Sequence, residues 1–438
     1  MEVVRSLNYF VRRFECNRKN MRLNIQSGSS LAPNDLVRIQ LPSNALIDLS
    51  TFQLTSDLTV TNDATGTGSL SACRITGTHN LVKRCNVVIG GVNVGSSDNH
   101  FGRVREAWKR ASYAQAWNDS NVASNQALQR AASSAATTVA SDDLKGSGHR
   151  SFDNWALSAM NINGSGILDT SIFGDCSVEI QFDSKYALNG PLDAQASAAN
   201  IDWAGTNLKA YVDCLFLPNG DYASAIRDRL EGGGEVRAIV PNVVSSIQKN
   251  SSSNEFNIST QCLAGVMVAG LTPAYATEFN HRYAACQDDG TPSTPAQLGA
   301  KNYHLEIGSE SYPAYGNVND GRDGANMTRY MVGKSSPYNY NQLYHTHTAT
   351  GNLAQDNNQD KNQTNYAAQN FIVGFDTSLE GLGCLHDSKL MSGVSTQGGN
   401  SVIRFISNDF DADQYWLFAG LCDSELIARR GQVVNFVA

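Results

Sequence analysis

Three groupings in this sequence bring chemically able side chains close together. His345-Thr346-His347 would place two imidazoles on one face of a strand, a spacing that some metal sites use. No third ligand lies nearby in sequence and the stretch is rich in Asn and Gln, which points to a solvated pair. Asn317-Val318-Asn319-Asp320-Gly321-Arg322-Asp323-Gly324 loosely follows a calcium loop, but no acidic residue stands at the closing position, so an ordinary turn is expected. Asp409, Asp411 and Asp413 alternate; on a strand they would share a face and could hold a cation at a subunit contact, whereas in a loop they would simply be hydrated.

Nucleophile and phosphate-binding motifs are missing from the sequence. There is no GxSxG, no HExxH and no GxxxxGK[ST], and Gly164-Ser165-Gly166 is turn chemistry. No pair stands out among the 41 acidic residues as a glycosidase dyad. With 33 basic residues the formal charge is −8, which argues against a whole-molecule nucleic-acid binder. Nine cysteines, at 16, 73, 85, 176, 214, 262, 286, 384 and 422, form no CxxC pair. Cys85, Cys176, Cys214, Cys262 and Cys422 lie in apolar or strand-like runs, as buried free thiols of a reducing compartment would. No cofactor is expected. No run reaches the length of a membrane span, and the N-terminus is too charged for a signal peptide, so synthesis in cytoplasm is expected.

The one strong concentration of charge is basic. In residues 1–22, Val3, Leu7, Phe10 and Phe14 share a helical face, while Arg5, Arg12, Arg13, Arg18, Lys19 and Arg22 outnumber Glu2 and Glu15. Such an amphipathic arm can lie on an anionic membrane, touch phosphates, or dock on its own protein or a neighbour.

The elements that must carry these groups are strands. Charge is sparse at 17%, Gly reaches 37 residues, and alternating runs such as Leu36–Leu41 and Phe52–Val60 are punctuated by turn residues. An all-β chain is expected. Its reference point is Cys85–Val94, where Val87-Val88-Ile89 and Val92-Asn93-Val94 flank Gly90-Gly91, a two-residue hairpin signal. An echo begins 218 residues after Val87, at Leu305, and runs to Pro313. Val178–Phe182 parallels Ser401–Phe405 at an offset of 223. Leu208–Leu217 with the helical pattern Tyr222–Leu230 parallels Tyr415–Leu421 with Ser424–Arg430. A short helix is expected at Phe101–Trp117. Polar insertions at 118–143 and 335–369 follow the two hairpins, and Gly232-Gly233-Gly234 marks a junction. The expected organisation is an arm over 1–22 and two tandem β-sandwiches of similar topology over 23–232 and 233–438.

This pattern, carried by Ser43–Phe52, the hairpin at Val87–Val94, Tyr303–Tyr312 and Lys389–Thr396, resembles the double jelly-roll major capsid proteins of icosahedral DNA viruses. The resemblance implies two jelly rolls with short helices and long polar loops, and a homotrimeric, pseudo-hexagonal capsomer in a virion shell. It implies neighbouring capsomers, penton and minor capsid proteins and an internal membrane as contacts, and no sequence-specific nucleic acid. The insertions would be outward towers, and residues 1–22 would point inward, to membrane or neighbour. A rival reading from the residues alone is a tandem β-sandwich protein that binds or hydrolyses glycans.

Overall fold

The computed structural model describes residues 17–62, 81–94, 98–112, 146–150, 166–184, 201–217, 221–271, 302–318, 321–333, 371–378, 393–408, 410–429 and 432–437. The insertions at 118–143 and 335–369, the His345/His347 pair and residues 1–16 lie outside them.

The first sandwich contains β1 (Asn17–Ile25), β2 (Leu36–Gln40), β3 (Leu46–Asn62), β4 (Val82–Ile89), β5 (Val92–Val94), helix α1 (Phe101–Ser112), β6 (Gly146–Arg150) and β7 (Ile167–Asp169). The four-residue α2 (Thr170–Phe173), β8 (Cys176–Phe182) and β9 (Ile201–Phe216) complete it. Its strands run β5-β4-β8-β2-β1-β9-β3-β6, with β7 on β3. The path is continuous because β1 turns a corner: Asn17–Leu23 pair with β9, whereas Asn24 and Ile25 pair with β2. The inward residues of the two layers, among them Ile39, Ile47, Leu49, Val87, Ile180 and Val212, are buried together.

Helix α3 (Asp221–Glu231) and the glycine run lead to the second sandwich. Its strands are β10 (Val236–Lys249), β11 (Asn254–Asn257), β12 (Leu263–Leu271), β13 (Asn302–Ile307) and β14 (Glu310–Tyr312). Helix α4 (Gly321–Gly333), β15 (Ile372–Asp376), β16 (Val402–Asn408), β17 (Tyr415–Arg429) and β18 (Gln432–Val437) follow. One sheet is β10-β17-β12-β15 with β18 on β17, and the other is β11-β16-β13-β14. Among the described residues no strand before Gly232 pairs with one after Gly234.

The repeat is visible in register. Val87 faces Val94 and Ile89 faces Val92; Leu305 faces Tyr312 and Ile307 faces Glu310. The 218-residue offset therefore holds through the whole hairpin. Gly90 and Gly91 have φ of 56° and 85°, the left-handed pair that a type I′ turn needs, and Gly308 takes the first position at 62°.

Four expectations are corrected. Val87 pairs with Val178 and Leu305 with Phe405, so β8 and β16 correspond at an offset of 227, four residues from the sequence match and still in phase. Ser424–Arg429 continues β17 instead of forming a helix, because it pairs with both β10 and β18. Residues 17–22 of the helical arm are strand, held by β9. Gly321–Gly324, read as part of a turn, opens α4.

Candidate functional site

Burial along the strands locates the functional surface. β16 alternates, as a strand with one wet face should, but all nine residues of β12 are buried, as is Trp416–Ser424 of β17. The inner face of this sheet is fixed by Phe418, which stacks on Phe256 of the opposite sheet at 4.4 Å. The outer face therefore carries Leu417, Ala419 and Leu421 with Met267, Ala269 and Val243 across the ladders. These side chains are apolar, and helices cover them.

Helix α4 lies across β15. A Cβ on Gly374 would come within 2.6 Å of Met331 Cε and 3.1 Å of Thr328 Cα, so glycine permits the approach. The second cover comes from the first sandwich. Val104, Ala107, Trp108 and Ala111 of α1 belong to the second sandwich's core cluster, and α1 touches α4. In the other direction Val236, Ala238, Val240, Leu426 and Ala428 join the first sandwich's core. The two sandwiches thus meet through different surfaces, helix side against sheet face, which is a heterologous contact.

A buried carboxylate is set into this seam. Asp98, immediately before α1, is 3% exposed and accepts hydrogen bonds from Ser245 Oγ of β10 at 2.6 Å and from the His100 N–H at 3.1 Å. Burial pushes its pKa up to about 6, against the lowering effect of those bonds. Half-buried His100 moves the other way, to about 4, through burial first and then Arg103 and Lys83. Burial first, and then the Asp98 charge, push the Cys85 thiol up. The signs oppose. A carboxyl whose pKa rises on folding stabilises the fold as pH falls from about 6 towards 4, whereas a histidine whose pKa falls on folding destabilises it from about 6.5 towards 4. Asp98→Asn is therefore expected to raise stability at pH 7, by about 3 kcal/mol at most, and to leave His100 uncompensated. Urea unfolding at pH 7 and pH 4.5 should show the variant's advantage shrinking or reversing in acid; an advantage equal at both pH values would refute this.

The sequence-predicted groups are dispersed. Arg18 spans Asp48 and Asp213 on the outer face of β1-β9-β3, at 2.6 Å to Asp213. Lys19 Nζ sits 5.4 Å above the Phe216 ring, and Arg22 is exposed beside Tyr211 of β9. Arg5, Arg12 and Arg13 lie outside the described residues. Asp411 and Asp413 are in a turn, where Asp411 accepts the Asp413 N–H and Asp413 pairs with Lys249 at 2.9 Å; Asp409 is outside the described residues. Among the described residues no group of three or more His, Cys, Asp or Glu could hold a metal ion. Cys85, Cys176, Cys214, Cys262 and Cys422 are free and buried, and burial pushes the Cys422 thiol up to about 12, so it is protonated at neutral pH.

No protein-family model and no curated protein sequence matches the chain. Solved structures do. A quasi-atomic model of the PBCV-1 virus capsid aligns over 97% of both chains with a TM-score of 0.54 at 9% identity. The Faustovirus major capsid protein aligns over 95% of this chain and 91% of its own, with a TM-score of 0.55 at 7% identity. This chain has the double jelly-roll fold. The double jelly roll explains why one polypeptide carries two similar sandwiches, and the seam is where its two rolls join. Asp98, Ser245 and α4 escaped the sequence reading; the available signal was Ala325, Thr328 and Met331 at helical spacing.

Proposed function

We propose that the chain is a viral major capsid protein that works by packing and not by catalysis, with the residues before β1 as an arm and jelly rolls over 17–232 and 233–438. Three copies form a homotrimeric, pseudo-hexagonal capsomer tiling an icosahedral virion shell, made in host cytoplasm and assembled beside neighbouring capsomers, penton and minor capsid proteins. The observation that carries this reading is end-to-end likeness to capsid chains in both directions, over two sandwiches of one topology in a single polypeptide. Six sandwiches around a threefold axis give a nearly hexagonal outline able to tile a face. The inward arm, with Arg5, Arg12 and Arg13, meets an internal membrane or an adjacent capsomer. Light scattering of the purified protein should give a three-chain mass, and negative-stain images should show hexagonal outlines. A single-chain species that cleaves oligosaccharides would overturn the proposal.

A further inference from the structure

A heterologous contact between two repeats leaves one unused surface of each kind on the chain. Inside the polypeptide, the start of α1 sits on the outer face of β10, where Ser245, the register partner of Ala419, bonds Asp98 and the His100 N–H, and α1 packs into the second sandwich's core. The counterpart of that face in the first sandwich is β1-β9-β3, since β1 and β10 are the opening strands and pair with the long strands β9 and β17, which pair in turn with β3 and β12. The two faces differ in exposure. Leu417, Ala419 and Leu421 are at most 1% exposed, whereas Arg18, Asn20 and Arg22 of β1 are exposed and Lys209, Tyr211 and Asp213 of β9 only half-buried.

The unused helix surface is equally marked. α4 follows its hairpin as α1 follows the first one. It lays Thr328 and Met331 inward and leaves Asp323, Asn326 and Tyr330 exposed. Tyr330 is 65% exposed and Tyr315 71%, the two highest values among the large exposed hydrophobic side chains of the described residues. Half-buried Met327 lies between them, its Sδ 3.9 Å from the Tyr315 hydroxyl and one turn from Tyr330. Exposed tyrosines carry large contact area at small entropic cost and pack well over guanidinium groups.

We infer that Tyr315 and Tyr330 of one copy dock on the outer face of β1-β9-β3, at Arg22 and Tyr211, of a second copy of this chain. The contact repeats between copies the helix-on-sheet arrangement of the internal seam, and exposed Asp323 at the start of α4 complements the arginine side of β1. This inference rests on the capsomer reading and names the surface that closes it.

The test is a charge swap read by mass at graded protein concentration, with thermal unfolding as a check of folding. Tyr330→Arg should melt like the parent, because the side chain is exposed, and should weaken self-association at least tenfold. Adding Arg22→Glu to it should restore most of the loss. Parental self-association in Tyr330→Arg, or no recovery in the double variant, overturns this contact while the capsomer reading stands. A parent protein that is single-chain at every concentration overturns both.

Discussion

Trp416→Ala should be among the most damaging single changes in the second sandwich, costing about 3–5 kcal/mol. The indole is fully buried, with ring centroids 5.0 Å from Phe405 and Phe410 and 6.1 Å from Phe371. Its loss leaves a cavity that these rings cannot close without leaving Tyr303, against which Phe371, Phe405 and Phe410 also pack. A polar cost is added. Trp416 Nε1 donates to Asn250 Oδ1 at 2.9 Å, in a network where Ser407 Oγ donates to the same oxygen and Asn254 Nδ2 bonds Ser407 and the Phe405 carbonyl. Trp416→Phe keeps most of the volume and should lose much less, the missing bond being worth about 1 kcal/mol. Chemical denaturation of the three proteins separates the two contributions. Equal losses in Ala and Phe variants would mean that the network, not the packing, dominates.

Thr328→Val is nearly isosteric yet should cost about 2–4 kcal/mol and loosen the seam. The Thr328 hydroxyl is fully buried, lies 2.8 Å from Gly324 O and 3.0 Å from Ile372 O, donating to one of them, and accepts the Gly374 N–H at 2.9 Å. β15 is the edge of its sheet, so that N–H looks outward and α4 satisfies it. Valine strands the donor and an acceptor without opening space for water. Because α4 touches α1, amide exchange should accelerate in β15 and α4 and also in α1. Thr328→Ser should behave nearly as the parent. Unchanged exchange in α1 would show that the two helices do not hold each other.

The hairpins were readable because Gly90-Gly91 states its turn type and β-branched neighbours state the strands. Tandem sandwiches followed from that echo. The β8 and β16 match came out four residues off because alternation has a period of two, so a shift by any even number preserves the pattern. α4 is not legible in the sequence because it starts Gly-Arg-Asp-Gly, in which two glycines and an aspartate are poor helix formers, and its helicity is imposed by docking Thr328 and Met331 on glycine-bearing β15. In sequence Arg18 belongs to a basic arm; its partners Asp48 and Asp213 are distant, and only pairing of β1 with β9 and of β9 with β3 brings all three together. The Asp98–Ser245 bond is of the same kind, linking residues 147 apart.

The unbroken burial of β12 bears on how the polypeptide is made. Translation delivers α1 before Leu263–Leu271 leaves the ribosome, so the greasy outer side of that strand always emerges after its lid has been synthesised. A circular permutant that starts at Gly233 and ends at Gly232 would reverse the schedule, and its nascent second half would present the outer face of β17 and β12 to the cell without the cover that α1 gives.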